Sequence, residues 1–102
     1  MRFLGQTEMV EFLRGNPAEA DRLQAWLSEI RNRQWTSAEA LSADFSSVDT
    51  SNPPQAIFQL RDPPLQIDTL IDFRTNVVLL LSIQTPAHER QVFLKDALSS
   101  IQ

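Results

Sequence analysis

The chain has no cysteine and no tyrosine, a single histidine, and only two glycines, Gly5 and Gly15. Each shortage removes a class of chemistry. Without cysteine there is no disulfide framework and no thiolate metal site, and a reducing cytoplasm is the expected location. His88 alone cannot build a histidine-based metal centre, so no metal or other cofactor is expected. Two isolated glycines leave no glycine-rich phosphate cradle. Positive charge is also scarce: the net charge is −4 and the pI about 4.8. Nucleic-acid binders draw most of their affinity from a basic footprint. That footprint is missing overall, which leaves room only for a local basic patch. The longest apolar run, Val77 to Leu81, is strand-sized, against the roughly 18 residues that span a bilayer, so no membrane association is expected. Met1 to Gly5 carries neither the apolar stretch nor the cleavage site of a signal peptide.

What is present suits one globular domain over residues 1–102. Apolar residues make up 42% of the chain and charged residues 22%, ordinary values for a packed domain. The charge is unevenly spread. Up to Trp35, Arg2, Arg14, Arg22, Arg31 and Arg33 balance Glu8, Glu11, Glu19, Asp21 and Glu29. From Thr36 onward, Arg61, Arg74, Arg90 and Lys95 stand against twice as many acids.

Periodicity divides the chain into a helical half and a strand half. Arg2 to Leu4 can open a short strand. Thr7 is a candidate N-cap with Glu8 in the first turn, and Met9, Phe12 and Leu13 share a face. Gly15-Asn16-Pro17 closes that helix and starts another. In the second, Ala20, Leu23, Trp26, Leu27 and Ile30 form an i, i+3, i+4, i+7 stripe. The two read as an antiparallel helical hairpin. Thr36 or Ser37 can cap a short turn that points Leu41 inward, and Asp44 to Gln55 has loop composition. Ala56, Phe58 and Leu60 then alternate with Ile57 and Gln59. Arg61-Asp62-Pro63-Pro64 is a turn. From Leu65 to Phe73 alternation is strict, with Leu65, Ile67, Thr69, Ile71 and Phe73 on one face and Gln66, Asp68, Leu70 and Asp72 on the other. Arg74-Thr75-Asn76 is a tight turn, with Asn76 suited to positive φ. Val77 to Ile83 is apolar on both faces at first, which predicts a central strand covered on two sides. Thr85-Pro86 is a helix start, followed by Phe93, Leu94, Ala97, Leu98 and Ile101 at helical spacing. The expected fold class is α+β: a helical hairpin on a small antiparallel sheet, with a C-terminal helix.

Few residues carry chemistry outright. His88 is either a first-turn polar residue or a general acid or base. Asp68 and Asp72 share a strand face about 13 Å apart, too far for a glycosidase carboxylate pair and suited to a solvated face. Arg61 and Arg74 sit in turns, Arg90 and Lys95 on the last helix. They are surface cations unless that helix packs by the hairpin turns and gathers them into one basic rim. Trp26 and Trp35 read as core residues rather than a ligand platform.

Taken in order, these pieces resemble the HigB-type toxins of the RelE-like superfamily, the mRNA-cleaving components of type II toxin–antitoxin systems. The resemblance rests on Phe12 to Pro17 (FLRGNP), Leu23 to Trp26 (LQAW), Trp35-Thr36-Ser37, Leu41 to Ser47 (LSADFSS), Ile57 to Leu60 (IFQL), and the hairpin of Leu65 to Phe73 with Val77 to Thr85. It covers nearly the whole chain. It implies a RelE-like fold and metal-independent cleavage, in which the RNA 2′-OH attacks the adjacent phosphate. His88 and Arg90 are then the catalytic candidates, and Arg61, Arg74 and Lys95 the substrate-binding ones. The implied partners are a helix-turn-helix antitoxin and mRNA or the ribosome. The sequence departs from the family pattern at three places. Gln66 stands where the family has Arg, Pro86 where it has His, and Glu89 where it has Tyr. A catalytically inactive scaffold that binds an antitoxin or regulator is the alternative those departures imply.

Overall fold

Strict alternation from Leu65 fixes which way the sheet faces. Odd-numbered residues there must be buried together, and every other element arranges around them. The computed structural model describes residues 1–61 and 63–85. The expected C-terminal helix, and with it His88, Arg90 and Lys95, lies outside the described residues.

The described chain is α+β. Strand β1 (Arg2–Leu4) leads to helices α1 (Gln6–Gly15), α2 (Ala20–Asn32) and α3 (Ala38–Asp44). Strands β2 (Val48–Asp49), β3 (Gln55–Leu60), β4 (Leu65–Asp72) and β5 (Val77–Gln84) follow. They form one sheet in the order β1-β5-β4-β3-β2. The meander β2 to β5 is antiparallel, but β1 lies parallel to β5, with Phe3 opposite Val78. The sheet is therefore mixed, not antiparallel throughout. The reason is the return path: a parallel neighbour needs a long crossover, and everything from α1 to β4 supplies it.

Inner-face residues Ala56, Phe58, Leu65, Ile67, Ile71, Val78 and Leu80 form one core with Met9, Leu23, Trp26, Leu27, Ile30, Trp35 and Leu41. Of the expected stripe of α2, Leu23, Trp26, Leu27 and Ile30 are buried and Ala20 is half-buried; of the expected odd face, Leu65, Ile67, Thr69 and Ile71 are buried and Phe73 is half-buried. Trp26 meets Phe58 edge to face at 5.3 Å and Phe3 at 6.0 Å, geometry that aromatic quadrupoles favour. Trp35 is buried beside Phe45 and donates its indole N–H to Asp44 Oδ2 at 2.7 Å. Ser37 caps α3 by accepting from the Ala40 N–H at 3.1 Å. A short 3₁₀ turn, Pro17–Glu19, separates α1 from α2.

Three local expectations change. Helix α1 starts at Gln6, before Thr7, and its N-cap is Gly5 at φ +122°. A Cβ on Gly5 would meet the Leu80 Cβ at 2.6 Å, so a glycine must turn the chain off β1 there. The loop-like stretch from Asp44 to Gln55 contains β2, with Val48 opposite Phe58. A polar composition conceals a strand of two residues, which has no period to read. Finally, β5 is central in the sheet, yet Leu79 is 37% and Leu81 44% exposed. Its inner face is covered by helices and its outer face is open among the described residues.

Candidate functional site

The outer face of the sheet is where the even residues of β4 point, and it divides into two ends. At the end nearest Gln84 the cross-strand register places Gln66 opposite Gln84 and Asp68 opposite Ser82. The side chains converge on one carboxylate. Gln66 Nε2 donates to Asp68 Oδ1 at 2.9 Å, and Ser82 Oγ donates to Asp68 Oδ2 at 3.0 Å. Gln84 Nε2 reaches the same Oδ2 at 3.4 Å. Asp68 is half-buried, so these three neutral donors replace water it has lost. The register slips just past it, between Asp68 and Thr69, leaving Leu81 as the extra residue on β5. A bulge of this kind re-aims side chains at a sheet surface. Here it separates the polar end from the apolar one.

The apolar end holds Leu4, Leu70, Val77 and Leu79, which the register aligns in adjacent rows. It opens into a groove of about 700 Å³ whose walls include Pro53, Pro54, Leu70, Phe73, Val77 and Leu79. Arg74 stands at its rim. Asp72 holds the neighbouring turn, accepting from the Arg74 N–H at 2.9 Å and the Thr75 N–H at 3.4 Å. Those bonds lower the Asp72 carboxyl below its ordinary value, the Arg74 N–H contributing most. Asn76 completes the turn at φ 58°, as its residue type predicts.

The two described cations expected to bind substrate are not brought together. Arg61 follows β3 and Arg74 follows β4, so they sit at opposite ends of β4, a strand about 23 Å long. Near Arg61 the chain is gripped by Arg22. Its Nη1 donates to the carbonyls of Arg61 and Pro63 at 3.0 and 2.7 Å, while Glu19 pairs with the same guanidinium. Arg61 itself is exposed beside Arg22 in a shallow hollow with Trp26 and Glu29. Among the described residues, no group of three or more His, Cys, Asp or Glu side chains converges as a metal site would require. Nor is any described helix long and apolar enough to cross a membrane.

No protein-family model and no curated protein sequence matches the chain.

The geometry therefore offers a carboxylate that can accept from an N–H or a cation, next to an apolar groove. Ser82 and Gln84, which complete the Asp68 cluster, were not singled out by sequence reasoning. Parity alone does not find them: counted from the turn it sets the odd residues Val77 and Leu79 beside Asp72 and Leu70, and only the bulge at Leu81 brings the even residues Ser82 and Gln84 to the same face.

Proposed function

We propose that the chain is a HigB-like toxin-family protein, the toxin component of a type II toxin–antitoxin system that cleaves mRNA without a metal. What supports this reading is order. FLRGNP closes α1 and enters the 3₁₀ turn, LQAW lies within α2, Trp35-Thr36-Ser37 leads into the cap of α3, IFQL lies in β3, and the hairpin is β4 with β5. In the reaction, the ribose 2′-oxygen bonds to the adjacent phosphorus and the bond from phosphorus to the 5′-oxygen breaks. A base takes the 2′-OH proton and an acid protonates the departing 5′-oxygen. His88 and Arg90 are the residues proposed for proton transfer and phosphate contact, with Arg61, Arg74 and Lys95 as further phosphate contacts. Induced expression tests the reading directly. Growth arrest with mRNA cleavage, abolished by His88→Ala or Arg90→Ala, is the expected result; arrest that survives both changes removes the catalytic assignment.

A second reading is favoured by one observation. Asp68 holds the centre of the polar end, and Gln66, the position where the family has Arg, is hydrogen-bonded to it. A carboxylate there repels phosphate. On this reading the scaffold has lost catalysis and binds an antitoxin or another regulator. Expression without arrest, together with co-purification of a helix-turn-helix protein encoded alongside, is its expected signature.

A further inference from the structure

The outer face of the sheet, open among the described residues, is complementary to itself. We propose that two copies of this chain pack outer face to outer face. Their two-fold axis lies between the sheets and crosses the strands at the Leu70–Leu79 pair. This inference goes beyond the toxin reading and holds whether or not the chain cleaves RNA.

Three observations carry it. The first is the apolar centre. The register aligns Leu4, Leu79 and Leu70 across β1, β5 and β4. Leu4 and Leu79 are 40% and 37% exposed. A contiguous apolar surface of this kind is a place where something binds. A row that lies on a two-fold axis meets the same row of the second copy.

The second is shape. An isologous interface needs every feature to find its complement on the same surface. Leu81 lies two residues from Leu79 toward Gln84, set outward by the bulge and 44% exposed. Val77 lies two residues from Leu79 the other way, in the wall of the groove with Leu70, Pro53 and Pro54. The axis exchanges these two positions. Leu81 of each copy therefore enters the groove of the other.

The third is charge. On the Leu81 side of the axis stand Asp68 and, beyond Ile57, Asp49. On the groove side, Arg2 shares the face of Leu4 by alternation, and Arg74 stands at the groove rim. Asp72 is also there, but its carboxylate is turned to the Arg74 and Thr75 N–H groups. The two ends thus carry opposite excess charge. Asp68 lies about 7 Å from Leu70 along β4, and Arg74 lies in the turn beyond the opposite end. The axis sets Asp68 of one copy toward Arg74 of the other, and the contact occurs twice.

Area sets the strength. The strands β1, β5, β4 and β3, spaced about 4.8 Å apart and about 26 Å long at β5, give a face of about 500 Å² in projection. Two such faces reach the roughly 1,000 Å² at which specific interfaces begin. The expected dimer is therefore weak, with a Kd on the order of 10 μM.

Sedimentation equilibrium of the full-length protein tests this. The wild type should be mostly dimeric at about 100 μM and mostly monomeric at about 1 μM. Leu79→Glu/Leu81→Glu should stay monomeric at both. Asp68→Arg and Arg74→Asp should each self-associate at least tenfold more weakly, because each variant brings like charges together twice. Mixed one to one, those two variants should recover the dimer, since each supplies the charge that the other lacks. Near-ultraviolet signals of Trp26 and Trp35 verify that every variant keeps its core. A wild type that is monomeric at about 100 μM overturns the proposal and leaves the face to the rest of the chain or to another protein. A dimer that survives Leu79→Glu/Leu81→Glu uses a different surface and overturns it too. So does a mixture of the two charge variants that stays monomeric, because the two-fold register requires their pairing.

Discussion

The Ser82 hydroxyl donates to Asp68 across the β4–β5 pair at 3.0 Å, on the face of the sheet that faces away from the helices. With Gln66 and Gln84 it builds a neutral collar around one negative charge. On the proposed RNA-cleaving reading this face would carry a cation for phosphate, and that decides the first experiment.

Phosphate contacts show as salt dependence, each contributing a slope near −0.7 for single strands in log K against log salt. The wild type is expected to give a shallow slope. Gln66→Arg combined with Asp68→Ala adds one cation and removes the repulsion, so the slope should steepen by about one contact and the affinity at low salt should rise. Filter binding of a single-stranded RNA between 50 and 200 mM salt reads both. An unchanged slope would mean that RNA, where it binds, does not touch this face.

The balance between what was legible and what was not follows from the range of each signal. The stripe from Leu23 to Ile30 and the alternation from Leu65 are periodic over many residues, and both were readable because burial imposes a fixed period. The mixed sheet was not readable. Nothing within Arg2–Leu4 states which distant strand will accept it, because that pairing is settled by the long crossover. Asp68 was visible as an outward carboxylate. Its collar depends on cross-strand register and a bulge, neither of which leaves a local mark. The role of Gly5 was hidden for a similar reason: the need for a missing Cβ comes from Leu80, far along the sequence.

That last contact yields a paired prediction. Gly5→Ala places a Cβ against the Leu80 Cβ and backbone at a φ that L-residues rarely adopt. Strain and overpacking together should cost about 2–5 kcal/mol in a urea melt. At Gly15 an added Cβ meets nothing within 4 Å, so Gly15→Ala should hold or raise stability by up to about 1 kcal/mol. Equal effects at both sites would show that Gly5 does not make the turn the structure assigns to it.

Acid stability should carry the mark of two turns. Asp49 accepts from the Ser51 hydroxyl and N–H, and Asp72 from the Arg74 and Thr75 N–H groups. Both carboxyls are lowered from the ordinary value of 3.8, chiefly by the Ser51 hydroxyl and by the Arg74 N–H respectively. A depressed folded-state value contributes stability that is complete above about pH 4 and is lost as pH falls through the folded value below 3.8. The double variant Asp49→Asn/Asp72→Asn should therefore lose stability less steeply than the wild type below that pH, with parallel curves above pH 5. Both groups are fully exposed, so the readout is the slope of urea midpoint against pH. Steeper loss in the variant would reverse the assignment.

Trp26 joins the helices to the sheet, packed edge-on against both Phe3 and Phe58. Its indole Nε1 is buried and meets no acceptor among the described residues. The two facts pull in opposite directions. Trp26→Ala removes the aromatic contacts and opens a cavity between α2 and β3, which should cost about 3–5 kcal/mol. Trp26→Phe keeps a ring against Phe58 and deletes the donor, whose burial without a partner costs roughly 1–3 kcal/mol. That relief offsets part of the lost volume, so Phe should cost less than half as much as Ala. Urea melts of the two variants, followed by Trp35 fluorescence, separate the terms. A loss below about 1 kcal/mol for Trp26→Ala would remove this residue from the core. Equal losses for Ala and Phe would mean that the indole N–H has an acceptor after all.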